Sequence, residues 1–383
     1  MTSDGVPQHR ASHKGLLDSS PQHPGRTGFD AILVPTNRPV RMLRDCIALA
    51  RDTAIPLIVV CSKRVDKDQV FKAARRANVH AFAVDLPLQH ANLLAGISFA
   101  TSTDEDLLAA SSGHTRDLSM KRNLGLVIAR MLRWQRLMFL DDDIYKISTE
   151  DVGVLAAGLD NHNVSVLIPE RYPDNSVACH AHRLGGGKQD TFASGGSMGV
   201  RCDRKDLAFF PNIYNEDWFF FSEDAANLKI ARVGVSRQRK YDPYKDPQRA
   251  VKEEFGDLLA EGLYARLDDN RNIAGVDVGY WADFIEIRKE FLSQVAESLT
   301  RHPASERDNY KGRQVRAAQV SIGEAQRQLK GIKPELCQKF IELWQADLGK
   351  WRRYVAKLPR FGSVVSALDY LGLRFEVFTP NAR

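Results

Sequence analysis

Arg136-Leu137-Met138-Phe139-Leu140-Asp141-Asp142-Asp143-Ile144 is a short apolar run that ends directly in three carboxylates. An apolar run of this length reads as a buried strand, and acids at its end fall on a sheet edge, where open α/β sheets bind ligands. Three adjacent acids repel one another, and a cation relieves that repulsion. Hard divalent cations such as Mg²⁺ or Mn²⁺ take oxygen ligands and bridge carboxylates to phosphates. Asp141 and Asp143, separated by one residue, project to the same side of an extended chain, which makes them the candidate metal ligands. The plainer reading is a strand exit whose acids face solvent.

Upstream of this run the chain alternates strand and helix patterns. Ala31 to Val34 forms a buried-strand run that enters Pro35-Thr36-Asn37-Arg38, and an amphipathic stretch follows from Val40 to Arg51. Pro56–Cys61 and Val79–Val84 read as strands around a helix at Asp66–Ala77. Residues 99–115 read as a loop, and Arg116–Trp134 as a long helix leading into the acidic strand. Downstream come a helix at Thr149–Leu159, a strand at Val164–Ile168 and a glycine-rich hairpin or loop over residues 184–199. Helices are expected at Asn215–Asn227 and Asp246–Leu267, with a strand-like Val233–Val235 between them. Such alternation indicates a largely parallel sheet covered by helices.

Past Ala282 the strand signals stop, and Phe284–Leu299, Lys311–Lys330 and Pro334–Leu358 are helical in period. The expected organisation is a disordered tail over residues 1–28, an α/β domain over 29–281 and a basic helical domain over 282–383. The last segment holds 18 Lys and Arg against 12 Asp and Glu, so the whole net charge of +6 falls within it. A basic flank favours anionic partners. An anionic acceptor, a phosphorylated molecule or nucleic acid, is therefore one expectation, and a solvated helical surface is the other.

A chain of 383 residues with 43% hydrophobic and 27% charged residues is not a wholly disordered protein, and 26 Gly and 16 Pro exclude a collagen-like one. No stretch approaches the roughly 18 consecutive apolar residues of a membrane span. Five cysteines without a CxxC pair argue against a disulfide framework. A cytoplasmic location is the expectation.

The opening strand and its Pro-Thr-Asn-Arg loop, the β/α alternation, and an Arg-Asn-containing helix before a strand ending in DxD together resemble the GT-A fold. That Rossmann-like mixed sheet flanked by helices belongs to nucleotide-sugar glycosyltransferases, and the resemblance is strongest to inverting, family-2-like enzymes. It covers about residues 30–245, and it implies a nucleotide-sugar donor with Mn²⁺ or Mg²⁺. Carried over residue by residue, it implies nucleotide contacts from Pro35, Thr36, Asn37 and Arg38, with Arg122 and Asn123 touching the nucleotide from the helix. Asp141 and Asp143 would hold the metal, with Asp142 beside them. The Glu-Asp pair at a helix start is Glu216-Asp217, with Asp217 the expected catalytic base and Glu216 the fallback. Many members place a metal-binding His near Arg237–Tyr244, and none stands there in this chain. Gln238 or Asp242 substitutes for it, or the metal has fewer protein ligands.

The remaining candidates carry a physical reading of their own. Asn215 is a good helix N-cap, and acids in a first turn suit the macrodipole, so a purely structural role for Glu216-Asp217 stays open. Trp218 and Phe219-Phe220-Phe221 would make an aromatic platform beside these acids. Ser194-Gly195-Gly196 lies in a small-residue segment where backbone can approach a donor sugar closely. Arg239 and Lys240, followed by Tyr241, suit a loop that clamps diphosphate oxygens. Cys179-His180-Ala181-His182 would put two histidines on one strand face without completing a four-ligand zinc site. A retaining transferase or a nucleotidyltransferase could use the same acids. A nucleic-acid-binding protein with a non-catalytic α/β scaffold is the reading from a different class.

Overall fold

The computed structural model describes residues 12–19, 28–88, 93–94, 96–112, 117–170, 176–188, 190–270, 272–273, 275–301 and 310–380. The first half runs β1 (Ala31–Thr36), α1 (Arg44–Thr53), β2 (Leu57–Cys61), α2 (Lys67–Ala77), β3 (Ala81–Asp85), α3 (Glu105–Ala110), α4 (Leu118–Met131) and β4 (Arg136–Leu140). Then follow β5 (Ile144–Tyr145), α5 (Thr149–Gly158), β6 (Val164–Glu170), α6 (Val177–Leu184), β7 (Ser197–Arg201), α7 (Glu216–Ala226) and β8 (Ile230–Gln238). The chain finishes with α8 (Gln248–Asn270), α9 (Val278–Arg301), α10 (Tyr310–Gly331), α11 (Pro334–Ala356), α12 (Val364–Tyr370) and β9 (Arg374–Phe378). The α/β class read from the sequence is the class observed.

Among the described residues nine strands join one mixed sheet in the order β5-β8-β6-β7-β4-β1-β2-β3-β9. Strands β4, β1, β2 and β3 run parallel, whereas β7 is antiparallel to both β4 and β6. From β1 the chain winds to β2 and β3, then returns across β1 to make β4 on its other side. The strand order therefore reverses between β1 and β4, and their carboxyl ends form the crevice where such sheets bind ligands. Thr36 and Leu140 end these two strands, so topology alone brings the Pro-Thr-Asn-Arg loop to the acidic turn.

Alternation along the strands divides the core between the two faces of the sheet. Ile32, Val34, Leu57 and Val59 point into a cluster roofed by α1, α2 and α5. Ala31, Leu33, Ile58 and Val60 point into the other, which is roofed by α4 and by helices from α6 onward. Helix α4 sits so close to β1 that a Cβ at Gly125 would lie 2.3 Å from a Leu33 methyl. Local signals frame several helices. Asp66 caps α2 by accepting from Gln69 N, Ser148 and Asp151 form a capping box at α5, and Pro334 opens α11.

Five sequence expectations differ from the structure. Strand signals do not stop at Ala282, because β9 pairs antiparallel with β3 at the sheet edge. The C-terminal helices also share the sheet's core: Trp281, Phe284 and Trp351 belong to the same cluster as Leu33. Asp347 of α11, fully buried, accepts from Ala100 N, Thr101 N and Thr101 Oγ1. The expected tail is packed over residues 12–19, where Leu16 is buried and the His13 ring stacks on Tyr264 at 4.1 Å between centroids. Residues 1–11 and 20–27 of that tail lie outside the described residues, as do residues 113–116 of the expected 99–115 loop. Within the rest of that loop, Asp104 caps α3 by accepting from Leu107 N. Cys179-His180-Ala181-His182 is helical, in α6, so 180 and 182 do not share a strand face.

Candidate functional site

The acidic turn leaves β4 beneath the end of β1, and the two are joined by side chains. Thr36 Oγ1 donates to Asp142 Oδ2 at 2.5 Å. Arg38 Nη1 lies 2.9 Å from Asp142 Oδ1 and 2.6 Å from Asp143 Oδ2. Gln238 Nε2, at the end of β8, donates to Asp143 Oδ2 at 3.2 Å. These acids are not the exposed group that a plain strand exit would give. Asp142 and Asp143 are buried, and burial raises the Asp142 pKa against the lowering pull of Arg38. Asp141 is the more accessible, with 24% of its side chain exposed.

Helix α4 supplies two buried cations one residue apart, and each goes to a different side. Lys121 Nζ donates to Thr36 O and Ser62 Oγ, both at 2.7 Å, and sits 3.2 Å from Asp117. Its burial lowers its pKa. Arg122 Nη2 lies 3.1 Å from Asp141 Oδ1, and its Nη1 lies 2.7 Å from Glu216 Oε1. One guanidinium thus ties the acidic turn to the Glu-Asp pair, with its carbon 5.6 Å from the centroid of the Phe210 ring. The small-residue segment is built around this arginine. A Cβ at Gly195 would sit 2.6 Å from Arg122 Nη1, so glycine is needed here for close approach of the protein to itself.

The start of α7 is held from two directions. Asp217 Oδ2 accepts from Gly195 N at 2.7 Å, and its Oδ1 accepts from its neighbour Trp218 N at 3.0 Å. Burial pushes the Asp217 carboxyl above its ordinary range, against the lowering effect of Arg122 and these amides. Asn215 does not cap the helix through its side chain; it lies in the left-handed region at φ 62°. Its amide donates instead to Asp257 at 2.9 Å. Asp257 in turn shares the fully buried Arg288 with Glu254 and Glu261, at N···O distances of 2.6 to 2.9 Å.

Two cavities meet at this point. The larger, about 350 Å³, is lined by Pro35, Thr36, Asn37 and Arg38, by Lys63, Asp117 and Lys121, by Asp141–Asp143, and by Tyr241 and Arg249. The smaller, about 70 Å³, is lined by Arg122, Asp141, Ser194, Gly196, Glu216, Asp217, Ser236 and Gln238 among others. Asp141 lines both. In the larger cavity four cationic side chains face four acids, which suits a polar, phosphate-bearing ligand rather than an apolar one.

Most of the residues expected from the sequence converge here, and four do not act as expected. Asn123 is turned inward: its Nδ2 donates to Phe210 O and its Oδ1 accepts from Phe210 N, each at 2.8 Å. Both ends of the amide are spent on the fold. Trp218 is no sugar platform, because it is buried against His13 at 4.1 Å and Tyr264 at 5.1 Å, and Phe219, Phe220 and Phe221 are core residues. Arg239 reaches the acidic turn only through its backbone N–H, which donates to Asp143 O at 2.9 Å; its guanidinium pairs with Asp45 beside the Tyr145 ring. Arg122 lines the smaller cavity instead of the larger one.

Lys63, Asp117 and Arg249 were missed by sequence reasoning. Lys63 follows β2 at the same sheet edge, a position from which it could have been found. Asp117 and Arg249 sit at helix starts that periodicity alone does not connect to β1. Among the described residues no group of three or more His, Cys, Asp or Glu side chains is gathered to hold a metal by itself. The oxygens of Asp141 and Asp143 still suit a hard cation, since Mg²⁺ characteristically takes one or two carboxylates and completes its shell with water and phosphate. No protein-family model matches the chain, and no curated protein matches it.

Proposed function

We propose that the chain is a glycosyltransferase of GT-A type that moves a sugar from a nucleotide-sugar donor to an acceptor hydroxyl with inversion. The observation that carries this reading is the junction at Asp141. A mixed-charge cavity at the β1/β4 switch point shares Asp141 with a second cavity, which is lined by a desolvated carboxylate, Asp217.

The donor diphosphate lies in the larger cavity beside Arg38, Lys63 and Arg249. Asp141 and Asp143 would hold Mn²⁺ or Mg²⁺, which when bound offsets the negative charge of the leaving diphosphate. Asp217 takes the proton from the acceptor hydroxyl as its oxygen bonds to the anomeric carbon. The bond from that carbon to the phosphate oxygen breaks, and the nucleoside diphosphate leaves with the electron pair. Desolvation makes Asp217 a better proton acceptor than an ordinary carboxylate, and the amides of Gly195 and Trp218 fix its orientation. Glu216 is paired with Arg122 at 2.7 Å, which leaves it in a supporting role.

Incubation with a panel of sugar nucleotides and simple acceptors, followed by NMR, tests the reading. The expected products are a nucleoside diphosphate and a glycoside of inverted anomeric configuration. Retained configuration would move the chemistry to a retaining transferase, and pyrophosphate release would move it to a nucleotidyltransferase.

A further inference from the structure

Two backbone amides from different parts of the fold orient Asp217. Gly195 N, on the small-residue segment, donates to its Oδ2, and Trp218 N, on α7, donates to its Oδ1. One residue meets both parts. His13 N donates to Thr191 O at 2.6 Å, and His13 Nδ1 accepts from Ala193 N at 3.1 Å, just before Gly195 in the chain. The His13 ring also lies against the Trp218 ring, at 4.1 Å between centroids. The segment that carries His13 is itself anchored. Leu16 is fully buried, Asp18 N donates to Ile230 O at 2.9 Å, and Asp18 O accepts from Arg232 N at 2.7 Å.

Packing alone does not account for a histidine at this position. The ring is 1% exposed, and with Nδ1 accepting, its proton stands on Nε2, which has no hydrogen-bond partner among the described residues. Burying a donor without an acceptor is costly, and phenylalanine would fill the space beside Trp218 and Tyr264 without that cost. What histidine adds is the acceptor for Ala193 N. We infer that His13 is a positioning residue: it clamps the Thr191–Ala193 backbone against α7 and so sets Gly195 N against the Asp217 carboxylate. This inference rests on the reading of Asp217 as the base and adds to it a buried residue behind the site.

Hydrolysis of UDP-glucose, GDP-mannose and dTDP-glucose by the full chain with Mn²⁺, read as released nucleoside diphosphate, tests the inference. His13→Phe keeps a ring and removes the acceptor. Its kcat is expected to fall at least about tenfold with the donor's KM unchanged, since small misplacements of a reacting group are costly. His13→Asn loses the ring, but its Oδ1 stands where Nδ1 does. It is expected to melt at a lower temperature than His13→Phe and yet to turn over faster, whereas a packing role makes turnover follow the melting temperature. In an Asp217→Asn background, His13→Phe should cost less than about twofold, because effects that run through one residue do not add. Wild-type kcat in His13→Phe, a raised KM in place of a lowered kcat, His13→Asn slower than His13→Phe, or the same loss in both backgrounds overturns the inference while leaving the donor reading intact. Hydrolysis of none of the three sugar nucleotides by wild type removes the inference together with the reading beneath it.

Discussion

Asp217 and Glu216 are adjacent in sequence and chemically distinct in the fold. Arg122 gives Glu216 a charged partner at 2.7 Å, while Asp217 receives backbone amides and a desolvating wall. Asp217→Asn keeps the shape of the side chain and removes the proton acceptor. Turnover is expected to fall by about 10²–10⁴-fold with little change in donor affinity, because the lost interaction belongs to the transition state. The pH dependence has a definite sign. A base must be deprotonated, and the raised pKa of Asp217 places the acid-side loss of activity above the ordinary carboxylate range. That limb should disappear in the residual activity of the variant. Stopped assays across acid pH check both points, and an unchanged limb would assign the base elsewhere. The pair was visible in the sequence as Asn-Glu-Asp-Trp, but its division of labour was not. It depends on Arg122, which lies 94 residues before Glu216 and was read as a nucleotide contact.

At the scale of elements, the segment over residues 12–19 departs most from its sequence. Its composition shows no hydrophobic period, so it reads as a tail; its order comes from tertiary contacts. His13 Nδ1 accepts from Ala193 N at 3.1 Å, and the ring lies against Trp218 and Tyr264 behind the Ser194–Gly196 segment. Asp18 forms a bridge to Ala231 and pairs with His162 at 2.9 Å. Burial of His13 pushes its pKa down from 6.5 to about 3. The unfolded chain therefore takes up a proton below pH 6.5 that the folded chain does not, and stability falls as pH drops from there towards 3. Urea unfolding between pH 6.5 and 5 should show wild type losing up to about 1.4 kcal/mol per pH unit more than His13→Phe. Parallel slopes would mean that the ring is not held neutral in the fold. Legibility was better where local chemistry decides the element. The cap at Asp66, the box at Ser148 and Asp151, and Pro334 lie within a residue of the expected helix starts. β9 had no such signal, since Arg-Phe-Glu-Val-Phe becomes a strand by pairing with β3.

For the whole molecule, the order of short motifs carried more than any one of them. An apolar strand ending in Asp-Asp-Asp, placed after a β/α start, put its acids at a ligand-binding edge of the sheet, and the topology sets that edge at the β1/β4 reversal. What the sequence could not convey is how the turn is neutralised. Arg38 and Gln238 converge on Asp143 from 105 and 95 residues away, so Asp143 is buried and not the solvent-facing acid of a plain strand exit. Asp141, the member shared by both cavities, is consequently the residue to remove. In the proposed function this turn holds a nucleoside diphosphate with a divalent cation. Titration of UDP, GDP and dTDP into wild type and Asp141→Ala, with and without Mn²⁺, tests it most directly. Saturable, Mn²⁺-dependent binding of at least one nucleotide to wild type is expected, with its loss in an Asp141→Ala variant that still unfolds cooperatively. Equal affinity in wild type and variant, or no binding by any of the three, would contradict it.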